Sequence, residues 1–140
     1  MPTRSAEATW NGSLKDGDGH MDMESGSYSG AYSFASRFQQ GEGTTPEELI
    51  AAAHAGCFSM ALSADLGREG YEAESVHTTA NVTLDADEGA ITKIELVSEA
   101  TVPDISESEF QEIAEGAKAN CPVSKALGGV DEIVLDATLA

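Results

Sequence analysis

Thr45-Pro46-Glu47-Glu48-Leu49-Ile50-Ala51-Ala52-Ala53-His54-Ala55-Gly56-Cys57-Phe58-Ser59-Met60-Ala61-Leu62-Ser63-Ala64-Asp65-Leu66 is the stretch on which the fold turns. Thr45 can cap a helix, Pro46 suits its first position, and Glu48 completes a Ser/Thr-x-x-Glu capping box. Glu47 and Glu48 face the positive end of the helix dipole. From Leu49 to Leu66 the helix is apolar on nearly every side, which predicts a central core helix buried all round. His54, Ser59, Ser63 and Asp65 interrupt it too often for a good membrane span, and Gly67 and Gly70 end it. The run Ala51, Ala52, Ala53, Ala55 and Gly56 leaves room for another backbone, which points to close helix packing across a dimer axis.

The surroundings of this helix are set by length and charge. At 140 residues the chain fits one domain, spanning 1–140. Its 25 acidic residues against 7 basic ones give a formal charge of -18, which excludes nucleic acid and anionic membranes as partners. Self-repulsion of this size destabilises a compact chain. The charge is therefore read as an adaptation to high ionic strength, where screening acts over about 3 Å at 1 M salt; ordinary acidic solubility is the alternative. Met1-Pro2-Thr3-Arg4-Ser5 has no apolar run behind it, so no signal peptide or anchor is expected and a cytoplasmic location is. The two cysteines, Cys57 and Cys121, lie 64 residues apart and form neither a disulfide framework nor a zinc pattern.

Along the rest of the chain, Ala6 to Trp10 and a second strand ending near Met23 read as a hairpin about Asn11-Gly12 and Lys15-Asp16-Gly17-Asp18-Gly19. Ser25 to Gly30 reads as a loop. Tyr32, Phe34, Ser36 and Phe38 alternate with Ser33, Ala35 and Arg37, the period of a strand, with Arg37 turned away from the aromatic face. After the helix, Val76 to Leu84 and Ile91 to Val102 flank the turn Asp85-Ala86-Asp87-Glu88-Gly89 and predict an antiparallel hairpin. Ser106-Glu107-Ser108-Glu109 is a second capping box, opening a helix with Phe110, Ile113, Ala114 and Ala117 inward. Pro122 starts a short helical turn, Gly128-Gly129 breaks it, and Val130 to Leu139 is a last strand. Strands grouped around helices, without a strict βαβ alternation, give an α+β fold of antiparallel sheets packed around a long central helix.

Read locally, Cys121 is the better candidate for a reactive thiolate, because it precedes a helical turn that starts with proline. Cys57, mid-helix among alanines, is expected to have a raised pKa unless a cation reaches it. Arg37, one of three arginines, could be that cation, held toward the sulfur by Glu47. Glu47 and Cys57 are ten residues apart, about 15 Å along a straight helix. If both serve one site, Glu47 comes from a second subunit or the helix bends sharply between them. The competing readings are a solvated strand residue for Arg37, a capping charge for Glu47 and inert buried thiols. His54, three residues before Cys57, could be a base but reads better as a packed core histidine. His20 and His77 have no paired ligands and are assigned to no metal. No cofactor pattern is present.

The stretch Thr45 to Ser63, together with Lys118-Ala119-Asn120-Cys121-Pro122-Val123-Ser124, resembles the OsmC/Ohr family of osmotically induced and organic hydroperoxide resistance proteins. The likeness extends to the Trp10 strand, Glu24-Ser25-Gly26, Ser36-Arg37-Phe38 and Ala90-Ile91-Thr92-Lys93-Ile94. It implies a thiol-dependent peroxidase acting as an intertwined homodimer with two interfacial sites. Cys57 matches the family's peroxidatic cysteine and Cys121 its resolving cysteine, which reverses the local reading of which thiol is the more acidic. Glu47 matches the site glutamate, and Arg37 matches the arginine of the OsmC branch. In the Ohr branch the arginine comes from the loop between the first two strands, which here reads Ser13-Leu14-Lys15-Asp16-Gly17 and holds none.

The chemistry the resemblance implies has two steps. Cys57 thiolate takes an oxygen from an organic hydroperoxide and becomes a sulfenic acid, and Cys121 condenses with it to a disulfide. A small or lipoyl-type dithiol then restores both thiols. Phe34, Phe38, Phe58 and Met60 are expected to wall the substrate. The alternatives are a non-catalytic redox-sensing or ligand-binding domain of the same fold and, more weakly, a metal site on His54 and Cys57.

Overall fold

A computed structural model describes residues 1–140. The elements, in order, are β1 (Ala6–Asn11), β2 (Asp18–Met23), β3 (Ser29–Tyr32), α1 (Phe34–Phe38), α2 (Pro46–Arg68), β4 (Ser75–Asp85), β5 (Ala90–Thr101), α3 (Glu107–Asn120), α4 (Pro122–Ala126) and β6 (Glu132–Leu139). They form two compact units, Met1–Leu49 and Ile50–Ala140. The α+β class expected from the sequence is the class observed.

The first unit is an antiparallel meander, β1-β2-β3. Gly19 lies opposite Trp10 on one side and Tyr32 on the other. The two rings, 5.4 Å apart between centroids, meet over it. A Cβ there would come within 2.5 Å of Tyr32 and 2.7 Å of Trp10, so only glycine lets the aromatic pair close. The chain then departs from expectation. The strand anticipated from Tyr32 to Phe38 stops at Tyr32, and Phe34–Phe38 is a helix. The cause is Ser33: its hydroxyl accepts from the Ser36 N–H while the Ser36 hydroxyl accepts from the Ser33 N–H, at 3.0 and 2.8 Å. Two orphan donors are thereby satisfied and the turn closes. The alternating phenylalanines become an i, i+4 pair with centroids 5.0 Å apart. The expectation that Arg37 turns from the aromatic face also fails, since its guanidinium carbon sits 5.5 Å from the Phe38 ring centroid.

Both predicted capping boxes form by halves. Thr45 Oγ1 accepts from the Glu48 N–H at 2.9 Å, but the Glu48 carboxylate accepts from the buried Thr44 hydroxyl at 2.7 Å. Ser106 Oγ accepts from the Glu109 N–H at 3.3 Å, while the Glu109 carboxylate accepts from the Tyr71 hydroxyl at 2.7 Å. Each helix keeps its capped first turn and lends its free carboxylate to a neighbouring hydroxyl.

In the second unit the strand order is β4-β5-β6, with β4 antiparallel to β5. The pairing of β6 corrects the all-antiparallel expectation. It runs parallel to β5, Ile94 opposite Ile133 and Leu96 opposite Leu135, because α3 and α4 carry the chain back along the sheet before β6 begins. Along β5, Ile94, Leu96, Ser98 and Ala100 are buried, the alternation of a sheet covered on one face. Against that face pack Phe58, Leu62 and Leu66 from α2 and Phe110, Ala114 and Ala117 from α3. Of the four residues expected to face inward from α3, Ile113 is only partly buried.

Gly67 does not end α2, which continues to Arg68; Gly70, with φ 90°, is the residue that breaks it. By length and composition this 23-residue helix could cross a membrane. Its burial is one-sided, however, which corrects the expectation of a helix enclosed all round. His54, Phe58, Leu62 and Leu66 are sealed, whereas Ala52, Ala53, Gly56, Met60, Ser63, Ala64 and Gly67 are exposed, Met60 at 78%.

Candidate active site

Arg37 and Glu47 form a pair within the first unit. The capped turn of α1 presents Arg37 from its last position, and the start of α2 presents Glu47, which is 8% exposed. Arg37 Nε donates to Glu47 Oε1 at 3.0 Å and Nη2 to Oε2 at 2.7 Å. This fork-to-fork contact fixes the guanidinium plane as well as its charge. It also raises the Arg37 pKa above the usual guanidinium value, the hydrogen bonds to Glu47 outweighing the opposing effect of burial.

The loop between α1 and α2 is held by its backbone. Thr44 N–H donates to Ala31 O, and Ser36 Oγ donates to Thr44 O at 2.8 Å. Gly43 has φ 110°, and a Cβ there would lie 2.6 Å from Ala31 O, so the approach to Glu47 depends on a glycine. Beside Arg37 a groove of about 320 Å³ is lined by Trp10, Leu14, Tyr32 and Phe38. Of the expected wall residues Phe38 is in this groove, Phe34 packs on Phe38, and Met60 is exposed on α2. Phe58 is sealed in the core of the second unit and walls nothing. Trp10, Leu14 and Tyr32 were not anticipated from the sequence; the one available sign was a glycine set opposite two aromatic residues.

Cys57 and Cys121 form a pair within the second unit. Both are free thiols, with Cys57 half-buried and Cys121 fully buried. Cys121 is the junction between α3 and α4: its N–H closes the last turn of α3 on Ala117 O, and its own carbonyl accepts from Lys125 in α4. This bend presents its side chain to α2, with its Sγ 2.9 Å from Cys57 Sγ, within reach of a hydrogen bond between the two sulfurs. Burial, then the hydrogen bond with Cys121, pushes the Cys57 thiol above its ordinary pKa. Burial also pushes Cys121 up, but hydrogen bonds from Cys57, from Ser124 and from the Val123 backbone outweigh it, and the net displacement is downward. The two thiols are close enough to titrate as a pair.

His54 is fully buried, its Nε2 2.7 Å from Ser124 Oγ, and burial lowers its pKa. Ser124 was not singled out in the sequence beyond its place in the Cys-Pro-Val-Ser run. His20 contacts Ser29 at 2.8 Å and Asp22 at 3.4 Å near the surface. No group of three or more His, Cys, Asp or Glu side chains has the arrangement of a metal site.

Residues 39–135 match the sequence model of the family described as OsmC-like protein. The chain belongs to the OsmC-like family. This family member is 51% identical to peroxiredoxin OsmC of Escherichia coli (strain K12) over 136 residues, 95% of this chain and 94% of that protein. It is 34% identical to the organic hydroperoxide resistance protein OhrA of Bacillus subtilis (strain 168) over 96 residues, 66% of each. Its fold matches the crystal structure of OhrB of Bacillus subtilis, with a TM-score of 0.65 at 25% identity over 97% of this chain and 98% of that one.

Proposed function

We propose that this OsmC-like protein is a thiol-dependent peroxidase that reduces organic hydroperoxides to alcohols. The observation that carries the reading is the pair of free thiols, one reachable and one sealed, with sulfurs 2.9 Å apart. The names of its relatives, a peroxiredoxin and an organic hydroperoxide resistance protein, support a peroxidase-type role. Cys57 thiolate attacks the distal peroxide oxygen, the O–O bond breaks, and the alkoxide leaves as alcohol, with Cys57 oxidised to the sulfenic acid. Cys121 thiolate then attacks that sulfur. The S–S bond forms and hydroxide leaves, taking up a proton as water. An external dithiol, small or lipoyl-like, returns both cysteines to thiols by two exchanges.

Cys57 has a raised pKa within its own unit and so requires a cation. Arg37, oriented by Glu47, supplies it and stabilises charge on the peroxide oxygens. Because α2 is one uninterrupted helix, the Arg37–Glu47 pair that serves Cys57 comes from a second copy of the chain. The apolar face of α2 from Ala52 to Gly67 is where that copy packs. One equivalent of cumene hydroperoxide added to the reduced protein in molar salt tests the reading. Both thiols are lost within seconds and the mass is that of an internal disulfide. Survival of both thiols in folded protein under excess peroxide would overturn it in favour of a non-catalytic binding or sensing domain.

A further inference from the structure

His54 and Ser124 have no task in the reaction as written, yet they are buried close to its two cysteines. His54 lies three residues before Cys57 on α2, and Ser124 three residues after Cys121 in α4. Their side chains meet, with His54 Nε2 2.7 Å from Ser124 Oγ. Two contacts therefore bridge α2 and the α3–α4 bend: sulfur to sulfur at 2.9 Å, and ring to hydroxyl one turn away on both elements.

α4 is five residues long, and Ser124 is its one buried side chain. Burying a hydroxyl is costly unless it is hydrogen-bonded, and His54 supplies the bond. The buried ring is neutral, and its Nδ1 has no hydrogen-bond partner. A proton on Nδ1 would be a buried unsatisfied N–H, so the proton belongs on Nε2, which donates to Ser124 Oγ. Parted, the two groups would each be left unsatisfied in the core. The contact is thus directional and resists sliding, unlike the apolar packing around it.

We propose that the buried His54–Ser124 hydrogen bond clamps the α3–α4 bend to α2 and so sets the distance and angle at which Cys121 meets Cys57, making both positioning residues of the disulfide step. Its place in turnover rests on the peroxidase reading, whereas the pairing of the two thiols stands without it. A single contact at the sulfurs would leave α4 free to pivot about it, and a disulfide tolerates little error in the direction of its two side chains. The sulfur contact also changes at each step of the cycle. The second contact takes no part in the chemistry and keeps Cys121 in place while Cys57 is a sulfenic acid.

A second polar link on the same helix supplies the control. Ser59, two residues beyond Cys57, donates to Thr78 Oγ1 at 2.8 Å, which lies 3.0 Å from Ser98 Oγ. This chain ties α2 to β4 and β5 and does not reach α4.

The test compares wild type, Ser124→Ala, His54→Phe, their double variant, Ser124→Thr and Ser59→Ala, each first shown to be folded by circular dichroism. The first readout needs no peroxide: the dithiol–disulfide equilibrium of Cys57 and Cys121 against a dithiothreitol buffer, which measures the effective concentration of one thiol at the other. It falls about tenfold in Ser124→Ala and in His54→Phe, a shift of about 30 mV toward easier reduction. The double variant falls no further than the worse single, as one shared bond requires. Ser124→Thr, which keeps the hydroxyl, and Ser59→Ala stay at the wild-type value. The second readout is single turnover with cumene hydroperoxide, where the delay falls on the resolving step: sulfenic acid, trapped with dimedone, persists about three- to tenfold longer in Ser124→Ala and His54→Phe. An unmoved equilibrium in folded Ser124→Ala or His54→Phe, a double variant whose loss is the product of the two, or an equal shift in Ser124→Thr or Ser59→Ala overturns the clamp. A wild type that forms no sulfenic acid instead sinks the peroxidase reading, while the equilibrium still judges the clamp.

Discussion

At the scale of residues, the two cysteines differ in exposure, Cys57 half-buried and Cys121 sealed, and the proposed reaction assigns their roles accordingly. Cys57→Ser abolishes peroxide turnover in a coupled assay. Cys121→Ser permits one oxidation and then stalls, with a sulfenic acid on Cys57 detectable as its dimedone adduct. Arg37→Ala shifts the pH profile of Cys57 alkylation upward; an unaltered profile removes Arg37 from the site. His54 adds a pH dependence of stability. Its folded pKa is depressed, so the unfolded chain binds the proton more readily. The stability tied to neutral His54 is fully present above the unfolded value near 6.5 and is lost as pH falls below it. Denaturant midpoints between pH 7.5 and 5.5 decline in wild type and decline less in His54→Phe. Cys57, Cys121 and the Arg37–Glu47 pair were all legible as residue types. Ser124 was not, because a serine signals nothing until a histidine 70 positions away is folded against it.

At the scale of elements, the sequence was most readable where hydrophobic period and turn chemistry agree, as in β4, β5 and α3. It misled where a short run satisfies two periods at once. Tyr32 to Phe38 has both the alternation of a strand and the i, i+4 spacing of a helix, and the Ser33–Ser36 box decides between them. Ser33→Ala therefore costs about 1 kcal/mol of stability and loosens the frame of Arg37, which denaturant titration and the alkylation profile of Cys57 read separately. The parallel pairing of β6 was hidden because direction within a sheet depends on the helical crossover and not on the strand's own residues. For α2, an all-apolar helix reads as buried all round, but only the face of His54, Phe58, Leu62 and Leu66 is sealed within the chain. With the opposite face as the proposed packing surface, Met60→Glu places a charge on it. Wild type sediments as a dimer and Met60→Glu as a monomer without turnover; a dimeric, active Met60→Glu would move the interface elsewhere.

At the scale of the whole molecule, a formal charge of -18 on 140 residues is the dominant long-range force. Few of these charges are neutralised internally: Arg37, Arg68, Lys93 and Lys118 each meet one carboxylate. Screening within about 3 Å at 1 M salt removes most of the residual repulsion. The thermal midpoint accordingly rises between low and molar salt, and a flat response would reduce the acidity to a matter of solubility. Monomer–monomer association, which brings two such charges together, strengthens over the same range.

The aromatic pair that closes over Gly19 carries a practical consequence. Trp10 is the chain's single tryptophan, with its indole N–H bonded to Gly12 O, its ring against Tyr32 and its edge on the groove beside Arg37. Every photon emitted from tryptophan therefore comes from one wall of that groove. The protein carries its own optical probe: quenching by acrylamide, before and after a bulky hydroperoxide or its alcohol is added, reports whether an organic tail has entered there, without a label and without a mutation.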